Sequence, residues 1–268
     1  MINGNDGGVN VSFDGGLTWK DFYHEIPTTQ FYNITYDPRT PFYIYGSIQD
    51  EGSIRMNSTT IYNPLDRTTG KYDWVPGGEG TRIVIDQKNP DIIYSSSYYG
   101  HIMKGDLSRL GKRNTSVSID PPAAVLGEEP RGEWLAATSL SPHDGTTVYH
   151  GLQYVLKTND QGKTWQKISP DLSQNSKEKT GNLPYRINYQ TITALEESPR
   201  KKGLLYAGTD DGKVHFTTSE GDGKWSDISK GLRAHAAVSY IEPSKHSDGT
   251  VYLAMSDRRE DNINPLIY

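Results

Sequence analysis

The sequence predicts an all-β chain, a β-propeller of about six four-stranded antiparallel blades with the terminal blades incomplete. Three observations carry this expectation. A cadence of short apolar runs recurs along the 268 residues, and its marker tyrosines Tyr45, Tyr94, Tyr149, Tyr206 and Tyr252 are 49, 55, 57 and 46 residues apart, a blade-sized period. Within each copy, β-branched and aromatic runs are bounded by Pro, Gly, Asn and Asp clusters, the pattern of antiparallel strands and tight turns. No segment sustains a helical period.

Strands within a blade are lettered a to d from the inside outwards. The first blade, about 1–28, opens at its second strand, with 2–5, 9–13 and 19–23 reading as b, c and d. Blade two, 29–76, has runs at 34–36, 42–46 and 50–55, and blade three, 77–132, repeats them at 83–86, 92–95 and 99–103. Blade four, 133–187, continues with 136–142, 147–151 and 154–157, and blade five, 188–232, with 192–195, 204–208 and 211–216. Blade six, 233–268, supplies 238–243, 250–254 and a closing run at 266–268 that reads as strand c. Segments 57–71 and 107–132 read as long polar loops and 171–188 as a polar connection. The leftover b-c-d and a-b-c strands overlap instead of completing one blade. The chain is therefore expected to be part of a longer propeller, whose missing portion would be one of its partners.

Composition narrows the function classes. Lys and Arg number 28 against 33 Asp and Glu, a net charge of -5 with no basic cluster to follow a phosphate backbone, which argues against a nucleic-acid partner. No apolar run is long enough to span a bilayer. The absence of cysteine excludes disulfides, thiolate metal sites and a cysteine nucleophile. Histidines are dispersed with no i, i+4 pair, so neither a metal nor a cofactor is expected. The N-terminal residues lack the charged and apolar regions of a signal peptide, so the chain is either cytoplasmic or led by a segment outside it.

Two octapeptides share the pattern S/T-x-D-x-G-x-T-W. They place Ser12, Asp14, Gly16, Thr18 and Trp19 in register with Thr158, Asp160, Gly162, Thr164 and Trp165, and residues 218–225 read as a decayed third copy. Each reads as a c–d hairpin in which the Asp accepts from its own turn, Gly supplies a positive φ and Trp packs as a buried anchor. The pattern resembles the Asp-box, or BNR repeat, of sialidases, sortilin-type receptors and xyloglucan-hydrolysing glycoside hydrolases. Phrases such as Ser141-Pro142-His143-Asp144 and Ile168-Ser169-Pro170-Asp171-Leu172 are similar to the large bacterial proteins labelled BNR-repeat glycosyl hydrolases. That resemblance implies a secreted, periplasmic or cell-envelope location and a structural role for the Asp-box residues.

Chemistry is expected on the opposite face, where the b–c corners and d–a connections surround a central funnel. The corners carry Asp50 and Glu51, then Tyr98, Tyr99 and His101, then Tyr154, then Asp210 and Asp211, and finally Asp257. The d–a connections add Glu79, Glu133, Trp134, Tyr189 and His235. Aromatic faces with carboxylates between them suit a glycan, or a polypeptide, held by a non-catalytic recognition scaffold. The alternative is a glycoside hydrolase of xyloglucanase type acting on β-glucans through paired carboxylates. For that reading, Asn5-Asp6-Gly7-Gly8 resembles the D-x-G-G segment that holds a catalytic aspartate in xyloglucanases, one residue short in spacing. Asp6 also reads as an ordinary turn residue before glycine. Asp210-Asp211-Gly212 and Ser256-Asp257 read as solvated turns, with calcium ligation as the rival.

Overall fold

Runs of β-branched and aromatic residues favour extended backbone, and the turn residues between them fold each run back on the last. The computed structural model describes residues 1–5, 8–21, 29–60, 71–179, 188–221 and 224–268. It divides into two compact units, Met1–Gln30 and Phe31–Tyr268. The first unit is an antiparallel sheet of β1 (Ile2–Asn5), β2 (Gly8–Val11) and β3 (Lys20–Asp21), matching the expected b, c and d strands.

The second unit holds five sheets in succession, each an antiparallel meander. Blade two comprises β4 (Phe31–Tyr36), β5 (Tyr43–Ile48), β6 (Gly52–Asn57) and β7 (Tyr72–Val75). Blade three is β8 (Ile83–Ile85), β9 (Ile92–Ser96), β10 (Ile102–Asp106) and β11 (Ser116–Ser118). Next come β12 (Thr138–Leu140), β13 (Val148–Gly151), β14 (Val155–Thr158) and β15 (Gln166–Lys167) in blade four. Blade five has β16 (Ile192–Glu197), β17 (Leu205–Thr209), β18 (Val214–Thr217) and β19 (Ser226–Asp227). Blade six has β20 (Ala237–Pro243), β21 (Val251–Asp257) and β22 (Asn262–Ile267), ending at the third strand as expected.

One expectation is corrected. Residues 107–132 are not only a polar loop, because β11 lies within them and is followed by a one-turn helix, α1 (Ala123–Leu126). The outermost strand is held by backbone pairing to β10, and its three residues are exposed, so no apolar pattern announces it.

First strands of successive blades touch in the order β4, β8, β12, β16, β20, which sets strand a innermost. The core lies between blades. Tyr45 and Val75 meet Ile83, Ile85 and Ile93 at the first junction, and Tyr94 and Ile102 meet Val148, Tyr154 and Trp165 at the second. Tyr149 and Val155 meet Ile192 and Leu205 at the third, and Tyr206 and Val214 meet Val238 and Ile241 at the fourth. Adjacent residues of one strand serve opposite junctions: Ile93 packs towards blade two and Tyr94 towards blade four. The marker tyrosines 45, 94 and 149 are 0% exposed, whereas Tyr252 on blade six is 55% exposed.

The octapeptides fold into one hydrogen-bonded design. In the first unit Thr18 N–H donates to Asp14 Oδ1 at 2.9 Å, and Gly16 N–H donates to Ser12 Oγ at 2.7 Å. In blade four Thr164 N–H donates to Asp160 Oδ1 at 2.9 Å, and Gly162 N–H donates to Thr158 Oγ1 at 2.9 Å. The indole N–H of Trp165 reaches back to the previous blade, 2.8 Å from Ile119 O, and Trp225 repeats this on Ile168 O at 2.9 Å. Gly162 and Gly221, both at positive φ, lie against Ile119 and Ile168, where a Cβ would collide. The third copy therefore starts one residue earlier than the sequence pattern placed it, at Thr217, with Ser219 donating to Thr217 Oγ1 and Glu220 turned away to pair with Lys157 and Lys202.

The two tryptophans are not equivalent anchors. Trp165 is 7% exposed between two blades, whereas Trp19 is 44% exposed. Trp165→Ala should lower the unfolding free energy by about 3–5 kcal/mol in urea titrations, and Trp19→Ala should cost less.

The Thr18 hydroxyl and N–H, with the Ser12 hydroxyl, hold the Asp14 carboxyl at about 2, and Thr164 with Thr158 does the same for Asp160. Both folded values lie below the ordinary 3.8, so the stabilisation is present above that value and is lost as pH falls through about 2. Asp160→Asn should shrink the loss of stability seen in denaturant titrations between about pH 4 and pH 2.

Candidate functional site

In an a-to-d meander the b–c and d–a connections share one end of each sheet, and the a–b and c–d turns share the other. The sheet orders put the predicted face at the first end. Asp6 falls outside the described residues, so its two readings stand where the sequence left them.

Blades three and four bring together an aromatic cluster. Tyr98 and Tyr99 form a one-turn 3-10 corner between β9 and β10. Trp134, from the connection into β12, lies 4.3 Å from the Tyr98 ring and stands edge-on to Tyr99 at 5.6 Å, centroid to centroid. The close approach depends on Gly132, where a Cβ would lie 2.3 Å from Tyr99 O.

Beside these rings, Gln49 joins two carboxylates from neighbouring blades. Its amide nitrogen donates to Asp50 Oδ1 at 2.7 Å and to Glu79 Oε2 at 3.1 Å, and its amide oxygen accepts from Tyr32. Glu79 Oε2 also accepts from Asp50 N–H at 2.6 Å, closing the b–c corner of blade two onto the connection into blade three. Asp50 and Glu51 are exposed on that corner.

Blades four, five and six build an acidic cluster. Asp210 lies at the β17–β18 corner with Oδ1 accepting from Thr191 N–H at 2.9 Å, while Asp210 N–H donates to Thr191 O at 3.0 Å. Asp211 Oδ2 accepts from Gln174 N–H at 2.7 Å, and its other oxygen accepts from Thr209. Asp257 Oδ2 accepts from Arg233 Nε at 2.7 Å and Asn262 Nδ2 at 3.1 Å, and the Arg233 bond first, then Asn262, holds its carboxyl below the ordinary range. Arg259 lies with Cζ 5.6 Å from the Tyr189 ring centroid and Nη1 3.6 Å from Asp210 Oδ2.

These aspartates are not solvated turns: Asp210 and Asp211 are 1% exposed and Asp257 is 2% exposed. Burial pushes the Asp210 carboxyl up to about 7, against the pull of Thr191 N–H and Arg259 and with help from Asp211 and Glu133. Glu133 thereby ties the two clusters, since its neighbour Trp134 stands on the aromatic side.

One further expectation changes. Tyr154 is fully buried in the junction between blades three and four, with Lys167 Nζ 4.4 Å from its ring centroid, and offers no surface to a ligand. His101 is exposed on its corner and faces Asp120, Nδ1 to Oδ2 2.9 Å. Sequence reasoning missed Gln49, Gln174, Arg233 and Arg259, because it sought only carboxylates and aromatics. The blade register alone puts Arg259 on the face, two residues past Asp257.

Comparison with known proteins speaks to the fold. The β-propeller domain of Cps50 (Swd1) from Myceliophteria thermophila, a crystal structure, superimposes with a TM-score of 0.51 over 85% of this chain at 11% identity. The fold is a β-propeller. The chain spans 64% of the length of that domain. No protein-family model matches this propeller, and no curated protein is similar to it in sequence.

The raised Asp210 value fixes a sign. Below the ordinary 3.8 the carboxyl is protonated folded or unfolded, and between there and about 7 only the folded chain keeps the proton. Stability therefore falls as pH rises through that window. Carboxyl-detected NMR should show Asp210 titrating near neutrality, and Asp210→Asn should remove its share of the stability loss between about pH 4 and pH 7.

Proposed function

We propose that this propeller is a non-catalytic recognition scaffold that binds a glycan or a polypeptide across the face formed by its b–c corners and d–a connections. The convergence of Tyr98, Tyr99 and Trp134 with the Gln49-bridged Asp50 and Glu79, from three blades, carries the reading. Half-buried rings beside amide and carboxylate groups offer a ligand both stacking and hydrogen bonding. Glu79 spends its hydrogen bonds on Gln49 and the Asp50 backbone, a loop-fixing use. The hairpins of Asp14 and Asp160 support membership of the Asp-box, or BNR, propellers, and on that resemblance we place the protein outside the cytoplasm, at the cell envelope or secreted.

Blade six supports a further partner. Its outward face exposes Tyr240, Tyr252, Ile263 and Ile267, whereas the equivalents of Tyr252 in the earlier blades are covered by the next blade. We read that face as the seat of another propeller blade from the rest of a longer assembly.

A glycan and peptide array probed with wild type and Trp134→Ala tests the recognition reading. Bound ligands should weaken by about tenfold in the variant, the effect of losing one ring contact. Incubation with β-glucans, xyloglucan included, should release no reducing ends; release would replace the scaffold by a hydrolase.

A further inference from the structure

Asp210 is built in an unusual way. One carboxylate oxygen is locked to the Thr191 backbone, 2.9 Å away, while Oδ2 is buried and accepts no hydrogen bond among the described residues. Leaving a buried carboxylate oxygen without a donor costs folding free energy. The cation facing it, Arg259 Nη1, stands 3.6 Å away, too far for an N–H···O bond. That guanidinium is 56% exposed and rests against the Tyr189 ring.

The neighbouring charges are engaged differently. Arg233 is held by Asp257 at 2.7 Å, Lys213 by Asp227 at 2.9 Å and Arg131 by Asp171. Asp211 accepts from Thr209 on one oxygen and from Gln174 on the other. Asp210 therefore offers a vacant acceptor in a negative setting, reinforced by Asp211 and Glu133, beneath a loosely held cation on an aromatic ring.

We propose that the Asp210 carboxylate is the docking point for a lysine or arginine side chain of a bound polypeptide, which takes the place of Arg259 against Tyr189. The inference rests on the reading of this face as a ligand surface and narrows that ligand to a polypeptide with a basic side chain. An ammonium or guanidinium delivers the donor that Oδ2 lacks, and the Tyr189 ring gives its alkyl stem and charge a surface to lie on. Arg259 acts as the resident stand-in, already oriented as the ligand would be.

The test is an NMR titration of the whole chain, held above about pH 7 where the Asp210 carboxyl has given up its proton, with blocked pentapeptides acetyl-Gly-Gly-Xaa-Gly-Gly-amide, where Xaa is Arg, Lys or Gln. The Arg and Lys peptides should shift the Thr191 and Asp210 amides and the Gln peptide should not. Asp210→Asn should weaken binding by about tenfold, as for loss of a charge-assisted bond. Arg259→Gln should tighten it severalfold by removing the competitor. Equal binding of the Gln peptide, or weaker binding by Arg259→Gln, overturns the proposal, as does cellohexaose shifting the same two amides in place of the peptides. If array ligands bind in a Trp134-dependent way but ignore Asp210 and Arg259, this proposal alone fails. If nothing binds the face, the scaffold reading fails with it.

Discussion

The packing of one blade against the next is the constraint on which the second unit depends. Among the described residues no single four-stranded sheet has a core of its own; each apolar cluster is made by two sheets, as where Tyr94 and Ile102 of blade three meet Val148 and Trp165 of blade four. A sheet sandwiched in this way must be apolar on both faces, so strands such as β9 (Ile92–Ser96) and β17 (Leu205–Thr209) are buried along their whole length. A change at one junction is felt by two blades, because residues adjacent in sequence serve opposite neighbours.

The outer hairpins extend the same logic. Trp165 and Trp225 each donate to a carbonyl just beyond the previous blade's outer strand, so the c–d turn of one blade is fastened to its predecessor. Asp160 meanwhile satisfies the turn's own donors and leaves the indole free to reach across. The division of labour explains why the motif concerns architecture: its polar atoms are consumed locally and its ring is consumed by the neighbour.

On the opposite end the connections are freed from making the core and gather the aromatic and acidic clusters. Their geometry is still inherited from the junctions, since Trp134 meets Tyr98 only because Gly132 lets the connection into blade four lie on the Tyr99 corner. The aromatic cluster straddles blades three and four and the acidic cluster blades four to six, with Glu133 and Trp134 adjacent between them. That face therefore presents rings at one side and buried carboxylates at the other.

The sequence by itself determined the strand cadence, the blade register and the hairpin chemistry, because turn residues, β-branched runs and the Ser/Thr-Asp-Gly-Thr-Trp spacing act over a few residues. It also named most of the face, since the meander obliges Asp50, Tyr98, Trp134, Tyr189 and Asp210 to share one end of their sheets. It did not show β11 (Ser116–Ser118), whose pairing is a backbone matter that its exposed side chains do not record. Burial was decided only by the tertiary structure. Tyr154 at a b–c corner and Tyr189 in a d–a connection are assigned by the pattern to the same end of the sheets, yet one fills a junction between blades and the other lies beneath Arg259. Asp210 reads as an ordinary turn aspartate until the neighbouring blades close over it, because desolvation depends on which residues from distant parts of the chain pack around a carboxylate and not on its own neighbours in sequence.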